Sequence, residues 1–208
     1  MPRIAESTVR RLSLYLRFLE EFEEQGKPTV SSATLAQLGG TTSAQVRKDL
    51  SFFGSFGKRG LGYAVPELAS RLRDILGLLR EYDVAVVGAG KIGSALANYR
   101  GLPARGFNVR WVYDRDPAKI DRSWNGLRVR DVTHLEHDLA ERPADIAILA
   151  IPADGAQVVA DRLVSAGVRA ILNFAPIKLI VPDDVTVKNV NMAFELETLT
   201  YALRNRTG

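Results

Sequence analysis

Gly88, Gly90 and Gly93 stand at G-x-G-x-x-G spacing, and an acid, Asp114, follows about 20 residues beyond the last of them. This set can hold a pyrophosphate and a ribose. Gly88 permits a tight turn off a strand, Gly90 lets the backbone approach phosphates, and Gly93 lets a helix pack close. Over residues 88–93 (Gly88, Ala89, Gly90, Lys91, Ile92 and Gly93) a helix begins, whose unpaired N–H groups and partial positive charge favour phosphate. Asp114 can accept from a ribose diol and would oppose a 2′-phosphate, which favours NAD over NADP. The neighbouring Arg115 works against that preference.

A second group sits where buried strands should end: Ala150, Ile151, Pro152, Asn173, Phe174, Ala175 and Pro176. All but Asn173 are apolar. They could line a nicotinamide pocket, or simply pack strand ends. Catalytic groups are scarce. His134 and His137 are the only histidines and fall at a helix entry. With no cysteine, disulfides, thiol redox chemistry and thiolate metal sites are excluded. No metal-ligand cluster or carboxylate pair stands at the strand ends, so we expect neither metal nor enzyme activity. The rival reading is an NAD-dependent oxidoreductase with a helical N-terminal appendage; the sequence argues against it, since such an enzyme needs an acid or base near the nicotinamide and usually a substrate domain. A second rival is a regulator that binds a nucleotide or acyl-coenzyme A.

A third group is basic. Residues 42–65 hold Arg47, Lys48, Lys58 and Arg59 against one acid, Asp49, while the whole chain carries a formal charge of only +4. Positive charge concentrated in so short a stretch suits phosphates. Ser43, Gln45 and Ser51 could reach base edges or backbone beside Arg47 and Lys48.

The elements that must position these groups can be read from periodicity. Residues 7–25 form a helix with Val9, Leu12, Leu16, Leu19 and Phe22 on one face. Ser31 or Ser32 caps a short helix over 33–38, and Thr41 or Thr42 caps another over 43–53, with Ala44, Val46, Leu50 and Phe53 turned inward. The pair reads as a helix-turn-helix. The glycine-rich, basic run 54–63 reads as a wing, with Lys58 and Arg59 at its tip and 63–65 as the returning strand of a hairpin. A helix from Pro66 to residue 80 closes this part. Strands at 83–87, 109–114, 127–129, 145–151, 169–174 and 185–190 then alternate with helices at 94–100, 133–141 and 157–166. That alternation predicts an α/β doubly wound parallel sheet of Rossmann type. A last helix over 192–204 is apolar on more than one side and must dock on its own domain or on a partner subunit.

The 208 residues therefore divide into a winged-helix domain, 1–80, a dinucleotide-binding domain, 81–190, and a C-terminal helix, 191–208. No apolar run approaches the roughly 20 residues of a membrane span, and the first residues hold no signal-peptide core. We expect a cytoplasmic protein with no membrane partner.

Four segments also resemble a known family: Val46-Arg-Lys-Asp-Leu-Ser51, Gly60-Leu-Gly-Tyr63, the fingerprint 88–93, and Ile171-Leu-Asn-Phe-Ala-Pro176. Over nearly its whole length the chain resembles the redox-sensing transcriptional repressor family Rex. The resemblance implies a homodimer on double-stranded DNA at a palindromic operator, with the C-terminal helix exchanged between subunits, and release when NADH binds; NAD⁺ competes without that effect. It implies DNA contacts by Arg47, Lys48 and Arg59, dinucleotide contacts by 88–93 and Asp114, and a switch role for Tyr99. Many members carry an aspartate before the last helix that pairs with an arginine on the partner's first helix. Here Asn191 stands in that place and Arg17 is the matching arginine, so that contact lacks one charge. An apolar pocket around Pro152, Phe174 and Ala175 would also penalise the charged ring of NAD⁺ relative to neutral NADH.

Overall fold

The computed structural model describes residues 4–54, 56–57, 61–124 and 126–204. The chain divides into two compact units, Met1–Arg80 and Glu81–Gly208.

In the first unit, α1 (Glu6–Glu24), α2 (Ser32–Leu38), α3 (Ser43–Ser51) and α4 (Val65–Ile75) surround one core, with a two-stranded sheet of β1 (Thr29–Val30) and β2 (Tyr63–Ala64). Leu12, Leu16, Leu19 and Phe22 of α1 meet Leu35, Val46, Leu50, Leu68 and Leu72 there. Ser31 Oγ accepts from the N–H of Thr34 at 3.0 Å and Thr42 Oγ1 from that of Gln45 at 3.1 Å. These caps start α2 and α3 at definite residues.

Several expectations are corrected. Val9 and Ala44, expected to face the core, are exposed; the fully buried residues also include Tyr15 and Asp49, on which the sequence makes no prediction. Helix α3 stops at Ser51. Helix α4 stops at Ile75 rather than reaching residue 80. Gly77, at φ +72°, ends it, with Leu78 N–H donating to Arg73 O at 2.8 Å; a left-handed glycine closes the last turn. Among the described residues the returning strand β2 has one strand partner. It pairs antiparallel with β1, Val30 opposite Tyr63. Gly62 makes this approach feasible: at φ +80°, a Cβ there would lie 2.5 Å from Val30 O. The wing-tip residues Lys58 and Arg59 lie outside the described residues.

The second unit is built on a seven-stranded sheet in the order β5 (Ser123–Trp124), β6 (Leu127–Asp131), β4 (Phe107–Asp114), β3 (Tyr82–Val87), β7 (Ile146–Leu149), β8 (Ala170–Asn173), β9 (Thr186–Asn189). All neighbours run parallel except β5, which forms a short antiparallel edge on β6 and has no counterpart in the sequence reading. Both faces are covered. Ala85, Val87, Trp111, Tyr113 and Leu149 pack against Leu135 and Leu139 of α6 (Leu135–Glu141) and Ala156, Ala160 and Leu163 of α7 (Ala153–Ser165). Val84, Val86, Val112 and Ile148 face the other way, toward Leu96 of α5 (Lys91–Ala97). Burial on both sides accounts for the nearly unbroken apolar run of β3. From β3 the chain first builds outward through β4 and β6, then crosses to β7, β8 and β9. The reversal opens a crevice between the C-terminal ends of β3 and β7.

No residue of α8 (Met192–Arg204) is buried. Met192, Phe194, Leu196, Leu199, Tyr201 and Leu203 are each 59–72 % exposed. Docking of this helix on its own domain, one of the two expected alternatives, does not occur. Among the described residues no helix is long and apolar enough to cross a membrane.

Candidate functional site

The crevice of the second unit is a cleft of about 1050 Å³ lined by the β3–α5 turn, the end of β4 and the loops after β7 and β8. Its three glycines have three different physical reasons. Gly88 has φ +107°, and a Cβ there would collide with Ala150 O. A Cβ on Gly93 would collide with Gly88 O, so this glycine sets how closely α5 approaches β3. Gly90 has an ordinary extended backbone, and a Cβ there would meet nothing within 4 Å. Neither the fold nor a neighbour requires glycine at that position. It faces the cleft at the first turn of α5, and the room it leaves suits a phosphate held by backbone N–H groups.

Asp114 closes the same turn from β4. Its Oδ2 accepts from Ala89 N–H at 2.7 Å and from Lys119 Nζ at 3.1 Å, and its Oδ1 accepts from Asp116 N–H at 2.9 Å. Burial pushes this carboxyl up, but Asp116 N–H, the Lys119 ammonium and Ala89 N–H outweigh it and hold the group below the usual carboxylate range. Asp114 is therefore ionised and fixed, with lone pairs left for a diol. Lys119, which sequence reasoning missed, and Arg115 stand beside it in the cleft wall.

At the other end, Ala150, Ile151, Pro152, Phe174 and Pro176 line the wall. Ala89 is buried in the β3–α5 turn. Ala175 and Asn173 are buried and do not line the wall, the Asn173 side chain holding the loop after β8 instead of facing the cleft. Lys91 and Ile92 line it from α5. Both histidines are exposed and neither lines the cleft. Among the described residues no group of three or more His, Cys, Asp or Glu could hold a metal ion. A site with phosphate, ribose and apolar-ring features fits a dinucleotide.

In the first unit, α3 is anchored from below by Asp49. Its carboxylate takes Arg11 Nε at 2.6 Å, Arg11 Nη2 at 2.7 Å, Gln45 Nε2 at 2.8 Å and Tyr15 OH at 3.1 Å. Burial pushes Asp49 up, yet Arg11, Gln45 and Tyr15 together hold it below the carboxylate range. Burial and the Asp49 charge push the Tyr15 phenol up to about 12. Gln45 thus spans from the face expected to meet base edges to the buried acid. Arg47, Lys48 and Ser51 are exposed, and Ser43 is half-buried. Arg47 Nη1 donates to Ser32 Oγ at 3.2 Å, so it lies where α3 meets the start of α2.

Arg17 is exposed on α1, Tyr99 is exposed just beyond α5, and Asn191 precedes α8. Asn191 Oδ1 accepts from the N–H groups of Ala193 at 3.0 Å and Phe194 at 3.3 Å. It is the N-cap of α8, a role that Asn and Asp share.

The fold and cleft define a class: a helix-turn-helix domain followed by a Rossmann-type nucleotide-binding domain. Residues 3–51 match the family described as "Putative DNA-binding protein N-terminus", and residues 80–177 match "CoA binding domain". The redox-sensing transcriptional repressor Rex of Carboxydothermus hydrogenoformans is 50 % identical, over 97 % of this chain and 97 % of that protein. Crystal structures of RSP, a Rex-family repressor, are also similar. The complex with β-NAD⁺ and operator DNA has a TM-score of 0.93 at 41 % identity, covering 100 % of this chain and 95 % of that one. The complex with β-NADH has a TM-score of 0.91 at 40 % identity, covering 100 % and 97 %. The chain belongs to the Rex family of redox-sensing transcriptional repressors. Its homologues are named as repressors, not enzymes.

Proposed function

We propose that this protein is a cytoplasmic, homodimeric repressor that reads the NADH/NAD⁺ ratio and releases a palindromic operator when NADH binds. Residues 1–80 act as the DNA-binding domain, 81–190 as the dinucleotide domain, and 191–208 as a helix exchanged between subunits. Arg47, Lys48 and Ser51 of α3 meet the major groove, with Ser43 and Gln45 at the helix start and Lys58 and Arg59 as the wing contact. Phosphate contacts set register, and the few base contacts set sequence.

In the cleft, the first N–H groups of α5 hold the pyrophosphate across Gly90. Asp114 accepts from the ribose. Pro152, Phe174 and Ala150 surround the nicotinamide ring, which carries a positive charge when oxidised and none when reduced. An apolar wall desolvates that charge and so favours the reduced form. Signalling requires that the dimer with recognition helices set about one DNA turn apart binds NADH less well than a second arrangement. By linkage, operator DNA weakens NADH binding to the same degree. By resemblance to the Rex family, the switch falls to Tyr99, Arg17 and Asn191, the last of which supplies no charge.

The observation that carries this reading is Gly90. It is a glycine with no demand from its own fold, opening onto a cleft beside a fixed Asp114, in a chain whose relatives are redox-sensing repressors. The test is a gel shift on a palindromic fragment titrated with NADH and, separately, NAD⁺. NADH alone should release the DNA; equal release by both, or by neither, would overturn the reading.

A further inference from the structure

The apolar end of the cleft is tied to the root of α8 through one buried amide. Asn173 is the last residue of β8 and has no exposed surface. Its Oδ1 accepts from Ala175 N–H at 3.0 Å. Its Nδ2 has three acceptors within reach: Asn189 Oδ1 at 2.9 Å, Ile177 O at 3.0 Å and Ala175 O at 3.2 Å. A primary amide has two N–H protons. Three acceptors therefore share two donors, and a movement that improves one contact weakens another.

The acceptors lie on two sides of a junction. Ala175 and Ile177 flank Pro176 in the loop after Phe174, and both Phe174 and Pro176 line the cleft. Asn189 is the last residue of β9. Val190 N–H donates to Asn173 O at 2.8 Å, and the next residue, Asn191, caps α8. A path of hydrogen bonds, continued by the backbone from Asn189 to Asn191, thus runs from the cleft wall to the first turn of that helix.

We propose that Asn173 and Asn189 are a positioning pair that transmits occupancy of the nicotinamide end of the cleft to the direction in which α8 leaves the sheet. The proposal rests on the function argued above. A ring seated against Phe174 and Pro176 displaces the Ala175 and Ile177 carbonyls. The Asn173 amide then redistributes its two protons and tightens or loosens its hold on Asn189. The end of β9 and the cap of α8 follow. Neither Asn173 nor Asn189 needs to touch the dinucleotide for this to work.

The side chain of Asn189 is exposed overall, so it can be shortened without opening the core. The test uses the full-length protein and the variants Asn189→Ala and Asn189→Asp, the second of which keeps an Oδ acceptor. NADH affinity is read by fluorescence without DNA, and operator affinity is read with and without saturating NADH. Asn189→Ala should bind NADH and operator separately as the wild type does, with a similar Tm. The factor by which NADH weakens operator binding should shrink about fivefold, the worth of one neutral hydrogen bond. Asn189→Asp should keep most of that factor. A wild-type factor in Asn189→Ala overturns the pair alone, as does equal damage in both variants or a fallen Tm with parallel loss of both affinities. Wild-type protein that binds NADH yet holds its operator unchanged overturns the proposed function, and the relay with it.

Discussion

Asp49 lies fully buried against Arg11, whose guanidinium holds both carboxylate oxygens, Nε on Oδ2 at 2.6 Å and Nη2 on Oδ1 at 2.7 Å. The pair joins the helix proposed to read DNA to the long first helix. Replacing Asp49 with Ala strands the Arg11 charge and the Tyr15 hydroxyl together. We expect a loss of about 3 kcal/mol in the first unit, and a larger loss in operator affinity than in NADH affinity. Chemical denaturation followed by helical circular dichroism, alongside both binding measurements, checks this.

The same carboxylate sets an acid limit. Its folded pKa is depressed, so its contribution is full above the unfolded carboxylate value of about 3.9. That contribution is lost as pH falls through the folded value. Stability from this group should be level from about pH 5 to 8 and decline below about pH 4. Asn at position 49 should remove that part of the acid dependence while lowering stability at neutral pH. Matching acid limbs in wild type and Asp49→Asn would count against the assignment.

Gly90 and Gly93 should separate binding from folding. Gly90→Ala places a methyl in open cleft, so its Tm should stay near the wild-type value while the NADH Kd rises about tenfold, or about 1.4 kcal/mol. Gly93→Ala drives a methyl into Gly88 O and should lower both Tm and NADH affinity. Calorimetric titration and thermal melts of the two variants side by side decide the matter. A destabilised Gly90→Ala protein would mean that this glycine serves the fold after all.

Most of the fold was legible because buried parallel strands and capped helices leave local marks. The alternation from residue 83 onward, the caps at Ser31 and Thr42, and the fingerprint glycines all lie within a few residues of what they control. The misreadings share a different cause. Asp49 stands out in the sequence only as the one acid of a basic stretch; its partner Arg11 is remote in sequence, so no local pattern announces the burial. Val9 and Ala44 fit an apolar stripe yet fall beyond the reach of the small core. The antiparallel edge β5 is a two-residue strand, too short to show periodicity. Lys119 escaped notice because its importance comes from Asp114, which it meets only once the chain has turned after β4. The place of Asn173 at a strand end predicts a ligand contact; its amide is instead taken up by the loop after β8 and by Asn189.

Phe174 offers a test of how the two redox forms are told apart. It is half-buried in the apolar end of the cleft. Phe174→Asp would set a carboxylate beside the ring, and a partly screened charge pair should raise NAD⁺ affinity relative to NADH by about tenfold. Competition titrations with both forms measure the ratio. An unchanged preference would show that the apolar wall is not its source.

The outward-facing α8 bears on assembly. Charged replacements at Leu196 and Leu203 together should convert a dimer to a monomer, visible by light scattering, while the second unit keeps its nucleotide. Operator affinity should drop sharply, since two half-sites are no longer engaged by one particle. A double variant that remains dimeric would place the subunit contact elsewhere.

A helix that leaves its greasy side chains to water within one polypeptide also makes dilution a variable. On the proposed assembly, mass action lends the folded state extra stability that grows with the amount of protein present. A cell holding few copies would carry subunits that melt sooner and grip the genome less firmly, whatever its reducing power. The amount of regulator would then act as a second input beside the coenzyme.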